Sequence, residues 1–278
     1  MQEQQSEYQI VIDATGMQKE YLKDLFRYRE LFYFLAWRDI LVRYKQAFFG
    51  IAWALVRPLL NMLVFAFVFG KIAHLSSGNV NYPLFVLAGM LPWQLFASAS
   101  IDTCNCLVNN AHLVSKVYFP RMIIPASEII VHLVDFCVTA ILLLTLASFF
   151  GDLNFQTIFA FPIFTILLLT LCLGMGFWLS ALTVQYRDFR LLIPFVIQFG
   201  LFISPVGYGT FVIPEKWQWL YILNPLVGII DGFRWSLFGM SHNLIFYSIA
   251  YSTIFTSFLL ITGFFYFKKT ERSFADNI

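Results

Sequence analysis

Long apolar runs decide what this 278-residue chain can become. Residues 51–72, 84–108, 126–150, 157–182, 191–210 and 243–267 each supply about the 20 residues that an α-helix needs to cross a hydrocarbon core roughly 30 Å thick. Inside such a core there is no water for backbone N–H and C=O groups, so each run must satisfy them within itself, as a helix does. The expected fold is therefore all-α, a polytopic membrane protein with six transmembrane helices spread over residues 51–278. Composition agrees with this. Charged residues make up 12% of the chain and hydrophobic ones 59%, whereas a soluble domain carries about 25% charged residues. A net charge of +2 is too small to hold a nucleic acid, so no such partner is expected. The first thirty residues lack an apolar core followed by a small-residue cleavage site, so no removable signal peptide is expected.

Between the fifth and sixth runs lies FVIPEKWQWLYILNPLVGIIDGFRWSLFGM, residues 211–240. It is apolar but broken by Asn224-Pro225 and by Glu215, Lys216, Asp231 and Arg234. Each half is too short to cross, so the expectation is two re-entrant half-helices, a geometry tolerated only where protein or a wet cavity satisfies the freed backbone. A surface loop is the alternative.

The positions of Lys and Arg set the orientation, because they accumulate on the cytoplasmic side. With the N-terminus inside, fifteen of the eighteen fall on that side, leaving Lys71, Lys216 and Arg234 outside. Both termini are then expected in the cytoplasm. An odd number of spans would strand Lys268-Lys269 on the wrong face.

Residues 1–50 form an N-terminal cytoplasmic segment with one notable stretch. At 100° per residue, Tyr33, Trp37, Ile40, Leu41 and Tyr44 share one arc of a helix, while Arg38, Asp39, Arg43, Lys45 and Gln46 share the other, with Val42 as an exception. The expectation is an amphipathic helix in the membrane interface, its cations meeting anionic lipid and Gly50 bending the chain into the first span. On the cytoplasmic side, NNAHLVSKVYFPRMIIP at 109–125 carries exposed aromatics that suit insertion into another protein's groove, with folding back onto headgroups as the alternative. The loop QYRDFR at 185–190 is minimal, and no GxxxxGK[ST] phosphate cradle occurs. Work on ATP would need a separate chain.

Five blocks taken together carry a resemblance: RDILVRYKQAFFGIAWALVRPLL, VYFPRMIIP, YRDFRLLIPFVIQFGLFISPVGYG, ILNPLVGIIDGFRWSLFG and FKKTERSFADNI. The chain resembles, over about residues 20–278, the permease subunit of polysaccharide-exporting ATP-binding-cassette transporters of the bacterial O-antigen and capsule type. The resemblance implies a homodimer in the bacterial cytoplasmic membrane. It also implies two copies of a cytoplasmic ATPase that binds ATP and Mg, and a polyprenyl-diphosphate-linked polysaccharide as cargo. It places Val117, Tyr118, Phe119, Pro120 and Arg121 in the element that seats in the ATPase. Trp37, Arg38 and Arg43 fall at the cytoplasmic gate, where Arg suits an approaching diphosphate, with plain lipid anchoring as the alternative. Ser204, Pro205 and Tyr208, with Asn224, Pro225, Phe233, Arg234 and Trp235, fall at the external gate, where prolines break helices. Cargo of another kind, such as teichoic acid or a hydrophobic compound, and an integral-membrane glycan-processing enzyme are the competing functions.

Sugars offer C–H faces to aromatic rings, so Trp93, Phe96, Trp178 and Tyr208 are candidates for a glycan passage. Lipid-facing and interfacial aromatics are the ordinary occupants of membrane helices, and the 33 Phe, 13 Tyr and 7 Trp do not by themselves separate the two uses. Ionisable residues within apolar runs are costly and draw attention to Asp102, Glu128 and Asp135. For Asp135 an interhelical hydrogen bond is favoured over a proton relay. Cys104, Cys106, Cys137 and Cys172 read as packing residues, the four histidines are scattered, and no metal or catalytic set is expected.

Overall fold

The computed structural model describes residues 18–45 and 52–274, and every regular element among them is helical. Gln46 and Gly50, where the chain was expected to turn into the first span, lie outside the described residues. Eleven α-helices follow in order. Helix α1 is Gln18–Arg27, α2 Arg29–Lys45 and α3 Ala52–Phe65, the last continued by a π-helical stretch Ala66–Ile72. Next come α4 Tyr82–Asn109, α5 Ala111–Lys116, α6 Ile123–Phe150, α7 Phe161–Gln185 and α8 Phe189–Ile203. Helices α9 Glu215–Ile222, α10 Pro225–Phe238 and α11 Ile245–Thr270 complete the chain.

Five helical segments are long and apolar enough to cross a membrane: Ala52–Ile72, Tyr82–Asn109, Ile123–Phe150, Ile158–Gln185 and Ile245–Ser273. The fifth expected run behaves differently. Helix α8 has 15 residues and ends at Ile203, a length of roughly 22 Å. The Ser204-Pro205 pair stops it, because proline disfavours helical geometry in the residue before it. Beyond Ser204 the chain stays at the same end of the bundle, where Arg234 and Tyr82 hydrogen-bond to the carbonyls of residues 206–208.

Helix α4 is the hub, buried along most of its length and packed against α3, α6, α7, α8 and α10. Small residues set the closest approaches. Gly174 on α7 and Gly263 on α11 face one another's backbones, so that a Cβ at Gly263 would stand 2.7 Å from the Gly174 carbonyl oxygen and one at Gly174 2.8 Å from the Leu260 nitrogen. Without lipid-excluding hydrophobic force between helices, such close backbone contact is what holds them together. Helix α10 is buried on nearly every side and lies against α11 through Gly228, where a Cβ would come 2.2 Å from the Ser248 carbonyl oxygen.

At one end of the bundle the two ends of the described chain meet. Tyr21 on α1 donates to Glu271, just past α11, at 2.6 Å, and the segment 110–122 joins them in a second apolar cluster with Leu35, Phe267 and Phe274. At the other end sit the α3–α4 connection, the α6–α7 connection and the 204–214 segment, linked by Asn81 to Asp152 and by Tyr82 to the Gly207 carbonyl.

Candidate functional site

Helices α2, α3, α4 and α6 enclose a cavity of about 450 Å³ in the half of the bundle nearer the two chain ends. Its wall holds Arg43 and Tyr44 from α2, Trp53, Arg57 and Asn61 from α3, Gln94 and Ser98 from α4, and His132, Asp135 and Thr139 from α6. Two guanidiniums, two amides and two aromatic rings in one chamber can bind an anion and stack on a planar or sugar-like face.

The way α2 presents its arginines corrects the expectation for that helix. It is apolar on both sides: Leu35 and Ala36 are buried against the protein, while Tyr33, Phe34, Trp37, Leu41 and Val42 are exposed, with Tyr33 and Trp37 stacked at 6.4 Å. Arg38 and Arg43 turn toward the protein instead of toward lipid headgroups. Arg38 Nε donates to Asp39 at 2.7 Å and its Nη2 to Asn110 at 3.2 Å, and Arg43 pairs with Asp135 at 3.1 Å. The physical reason is that α4 and α6 offer fixed acceptors, which hold a planar guanidinium better than mobile headgroups do. Tyr44, assigned to the apolar arc by periodicity, is half-buried and donates a very short hydrogen bond to Asp135. Burial first, and Asp135 second, push its phenol upward, so it remains a donor. Asp135 thus has interhelical partners, as favoured for it.

Next to this pair lies a polar junction. The fully buried His132 accepts at Nδ1 from Arg43, 3.3 Å away. Arginine can only donate, so the ring proton is assigned to Nε2. That nitrogen is 2.9 Å from Asp102 Oδ2, yet off the line of a good hydrogen bond. Asp102, Glu128 and His132 bring their ligand atoms within 4.8 Å of one another, but the assigned tautomer puts a proton on the ring nitrogen that a metal would take. The trio reads as an electrostatic junction between α4 and α6.

The end of the bundle away from the Tyr21–Glu271 contact is built around Arg234. This side chain is 2% exposed, and its guanidinium lies 3.6 Å over the Phe85 ring. Its Nη2 donates to the Val206 carbonyl at 2.9 Å, its Nη1 to the Tyr208 carbonyl at 3.1 Å, and two weaker contacts reach the Phe85 carbonyl. One cation thereby ties α10 to α4 and to the 204–208 segment. Asp231, one turn earlier, accepts from Thr210 at 2.7 Å and lies 3.0 Å from His242. Asn224 caps α10 by accepting from the Leu226 N–H at 3.1 Å, and its Nδ2 donates to Ser204 at 3.0 Å. The Tyr208 hydroxyl donates to the last carbonyls of α8 and accepts from Tyr221.

Of the external-gate candidates, Ser204, Pro205, Tyr208, Asn224, Pro225 and Arg234 are brought together, whereas Phe233 points into the core against Phe136, Phe161 and Phe164, and Trp235 packs on Phe164. The four passage candidates do not converge. Trp93 and Phe96 are neighbours, 5% and 6% exposed, and Trp93 fills the space over Gly200. Trp178 stacks on Tyr266 at 4.3 Å and donates to Thr262, between α7 and α11. Tyr208 is at the Arg234 end of the bundle. In this structure Trp93, Phe96 and Trp178 pack between helices. The cavity residues Arg57, Asn61, Gln94, Ser98 and His132 were not foreseen there, although an arginine inside the first apolar run was a legible signal.

In the segment after α5, Lys116, Val117 and Tyr118 are exposed, while Phe119 and Pro120 are buried. Arg121 is folded back: its guanidinium donates a very short hydrogen bond to the Glu271 carbonyl and a longer one to Val114, and its backbone N–H donates to the Glu271 carboxylate at 2.6 Å. Of the five residues 117–121 expected to seat in a partner ATPase, Val117 and Tyr118 are the exposed pair.

The sequence profile of ABC-2 type transporters matches residues 30–238, from α2 through α10. The chain belongs to the ABC-2 type transporter membrane family. This ABC-2 membrane protein is 29% identical to an O-antigen export system permease protein RfbA of Klebsiella pneumoniae over 240 residues, 86% of this chain and 91% of that relative. A Myxococcus xanthus protein of the same name is 26% identical over 77% of this chain and 82% of its own length. The polysialic acid transport protein KpsM of Escherichia coli is 25% identical over 64% and 69%. The relatives are named as permeases and transport proteins, and the five long apolar helices fit a multi-pass membrane protein.

Proposed function

We propose that the chain is the transmembrane subunit of an ATP-driven exporter that carries a polyprenyl-diphosphate-linked polysaccharide of O-antigen or capsule type outward across the cytoplasmic membrane. The observation that carries this reading is the cavity with Arg43 and Arg57 in its wall, set in a chain whose relatives are named for O-antigen and polysialic acid export. A lipid diphosphate needs charge-assisted donors and a sugar needs an aromatic platform; Arg43, Arg57, Trp53 and Tyr44 supply both. Trp37 and Arg38 stand at its approach. Arg234, Asn224, Pro225, Ser204, Pro205 and Tyr208 form the closed external gate.

The Tyr21–Glu271 contact brings the start and finish of the described chain to one end of the bundle, which supports an even number of crossings. Helix α8 supplies the sixth, and α9 and α10 dip back from the outer face. Both termini are cytoplasmic. Two copies of the chain enclose the passage, because α3 and α8 leave long exposed faces that carry Arg57 and Gln198, groups that lipid penalises. Two copies of a separate ATPase, binding ATP and Mg, seat on Lys116, Val117 and Tyr118.

The test is expression of the chain with its cognate ATPase in a polysaccharide-export mutant, followed by assay of surface glycan. Restored glycan that is lost again in Arg57→Glu supports the reading. Glycan that stays inside the cell while teichoic acid or a hydrophobic compound is exported contradicts it.

A further inference from the structure

Helix α6 opens without a capping side chain of its own, since Met122 precedes it and makes no side-chain cap. Its first N–H groups are met locally, Ile123 by the Pro120 carbonyl at 3.1 Å and Ile124 by the Arg121 carbonyl at 3.2 Å, and the turn that supplies those carbonyls is held from the far end of the chain. Glu271 Oε1 accepts from the Arg121 N–H at 2.6 Å, while Oε2 accepts from the Tyr21 hydroxyl at 2.6 Å. The Arg121 side chain returns to the Glu271 main-chain carbonyl. One residue therefore joins α1, the 117–122 segment and the end of α11, at sequence separations of 250 and 150 residues.

The surroundings make this joint firm. Phe119, Phe267 and Phe274 are almost fully buried in one apolar cluster, which also takes in Leu35 of α2. Burial, and then the neighbouring Glu271, raise the Tyr21 phenol, so it stays protonated and continues to donate. Two helices lead away from the joint toward the cavity. Helix α6 carries His132 and Asp135, and α1 continues into α2, which carries Arg43 to Asp135.

We propose that Glu271 is the positioning residue of energy coupling: it locks the Lys116–Tyr118 docking surface to α1 and α6, so that displacement of that surface by a partner is delivered to the Arg43–Asp135 contact at the cavity. Glu271 acts through Arg121 and Tyr21 and touches no cargo. The proposal rests on the ATPase partnership stated under Proposed function.

Three variants separate positioning from mere stability. Glu271→Ala removes both tethers. Tyr21→Phe removes only the α1 tether and keeps the carboxylate's hold on the Arg121 N–H. Glu271→Gln keeps one acceptor for Arg121, and its amide can donate to the Tyr21 oxygen. In the complete complex in lipid vesicles, Glu271→Ala and Tyr21→Phe are expected to retain partner binding and basal ATP hydrolysis but to lose at least ten-fold in cargo-stimulated hydrolysis and export; Glu271→Gln is expected to recover most of both. Equal loss of assembly, basal and stimulated activity, or wild-type stimulation in Glu271→Ala and Tyr21→Phe, overturns the proposal. Should the wild-type chain bind no ATPase, the functional reading fails by itself. The tether is then judged on the chain alone by hydrogen exchange: faster exchange at residues 111–124 in Glu271→Ala upholds the joint, and unchanged exchange overturns it.

Discussion

Arg234 is the side chain that does most to tie α10, α4 and the 204–208 segment together. Buried, stacked on Phe85 and bonded to three carbonyls, it has no conservative substitute, since lysine lacks the planar fork that reaches several acceptors at once. Arg234→Met is expected to leave the carbonyls of Val206 and Tyr208 without this donor and to cost about 3 kcal/mol, read as a lower thermal midpoint of the detergent-purified protein. An unchanged midpoint would mean that the fork is dispensable. The Arg43–Asp135 pair is a weaker case, because each side chain is about a third exposed. A double-mutant cycle with Arg43→Ala and Asp135→Ala is expected to give a coupling of about 1 kcal/mol or less, while export falls sharply in either single variant. Much at this scale was legible. Asp135 announced itself as a charge in an apolar run and did find an interhelical partner. For Trp93, Phe96 and Trp178 composition could not say whether an aromatic ring faces a passage or fills a contact such as the one over Gly200.

Among the elements, α7 and α11 make the closest long contact, and two glycines permit it. Gly174→Leu drives a side chain into the backbone at Leu259 and Leu260. It is expected to separate the helices, and cysteines placed at Trp178 and Thr262, whose side chains touch in the native protein, should then lose their oxidative cross-link. A cross-link as efficient as in the glycine-containing parent would contradict this. Periodicity and run length located α3, α4, α6, α7 and α11 to within a few residues. They overextended α8, because hydropathy continues through Phe202-Ile203 into Ser204-Pro205 and only proline's effect on the preceding residue ends the helix. The partners of the α2 arginines were hidden for a different reason: periodicity groups charges on an arc but does not say what meets them, and Asp135 and Asn110 lie far away in sequence.

For the whole molecule, the meeting of α1 with the end of α11 is the decisive feature, since it joins the two ends of the described chain beside the exposed residues 116–118. The excess of basic residues at that side was readable from the sequence alone. The closing contact was not, because Tyr21 and Glu271 carry no local pattern that pairs them. In the proposed function this chain forms a passage while another protein supplies the driving force at residues 116–118. The most direct measurement is transport of a lipid-linked glycan into the lumen of inverted vesicles holding the purified chain, with and without its ATPase and ATP. Uptake is predicted only when chain, ATPase and ATP are all present, and it should vanish when Tyr118→Asp prevents docking. Uptake by the chain alone, or undiminished uptake with Tyr118→Asp, would contradict the account.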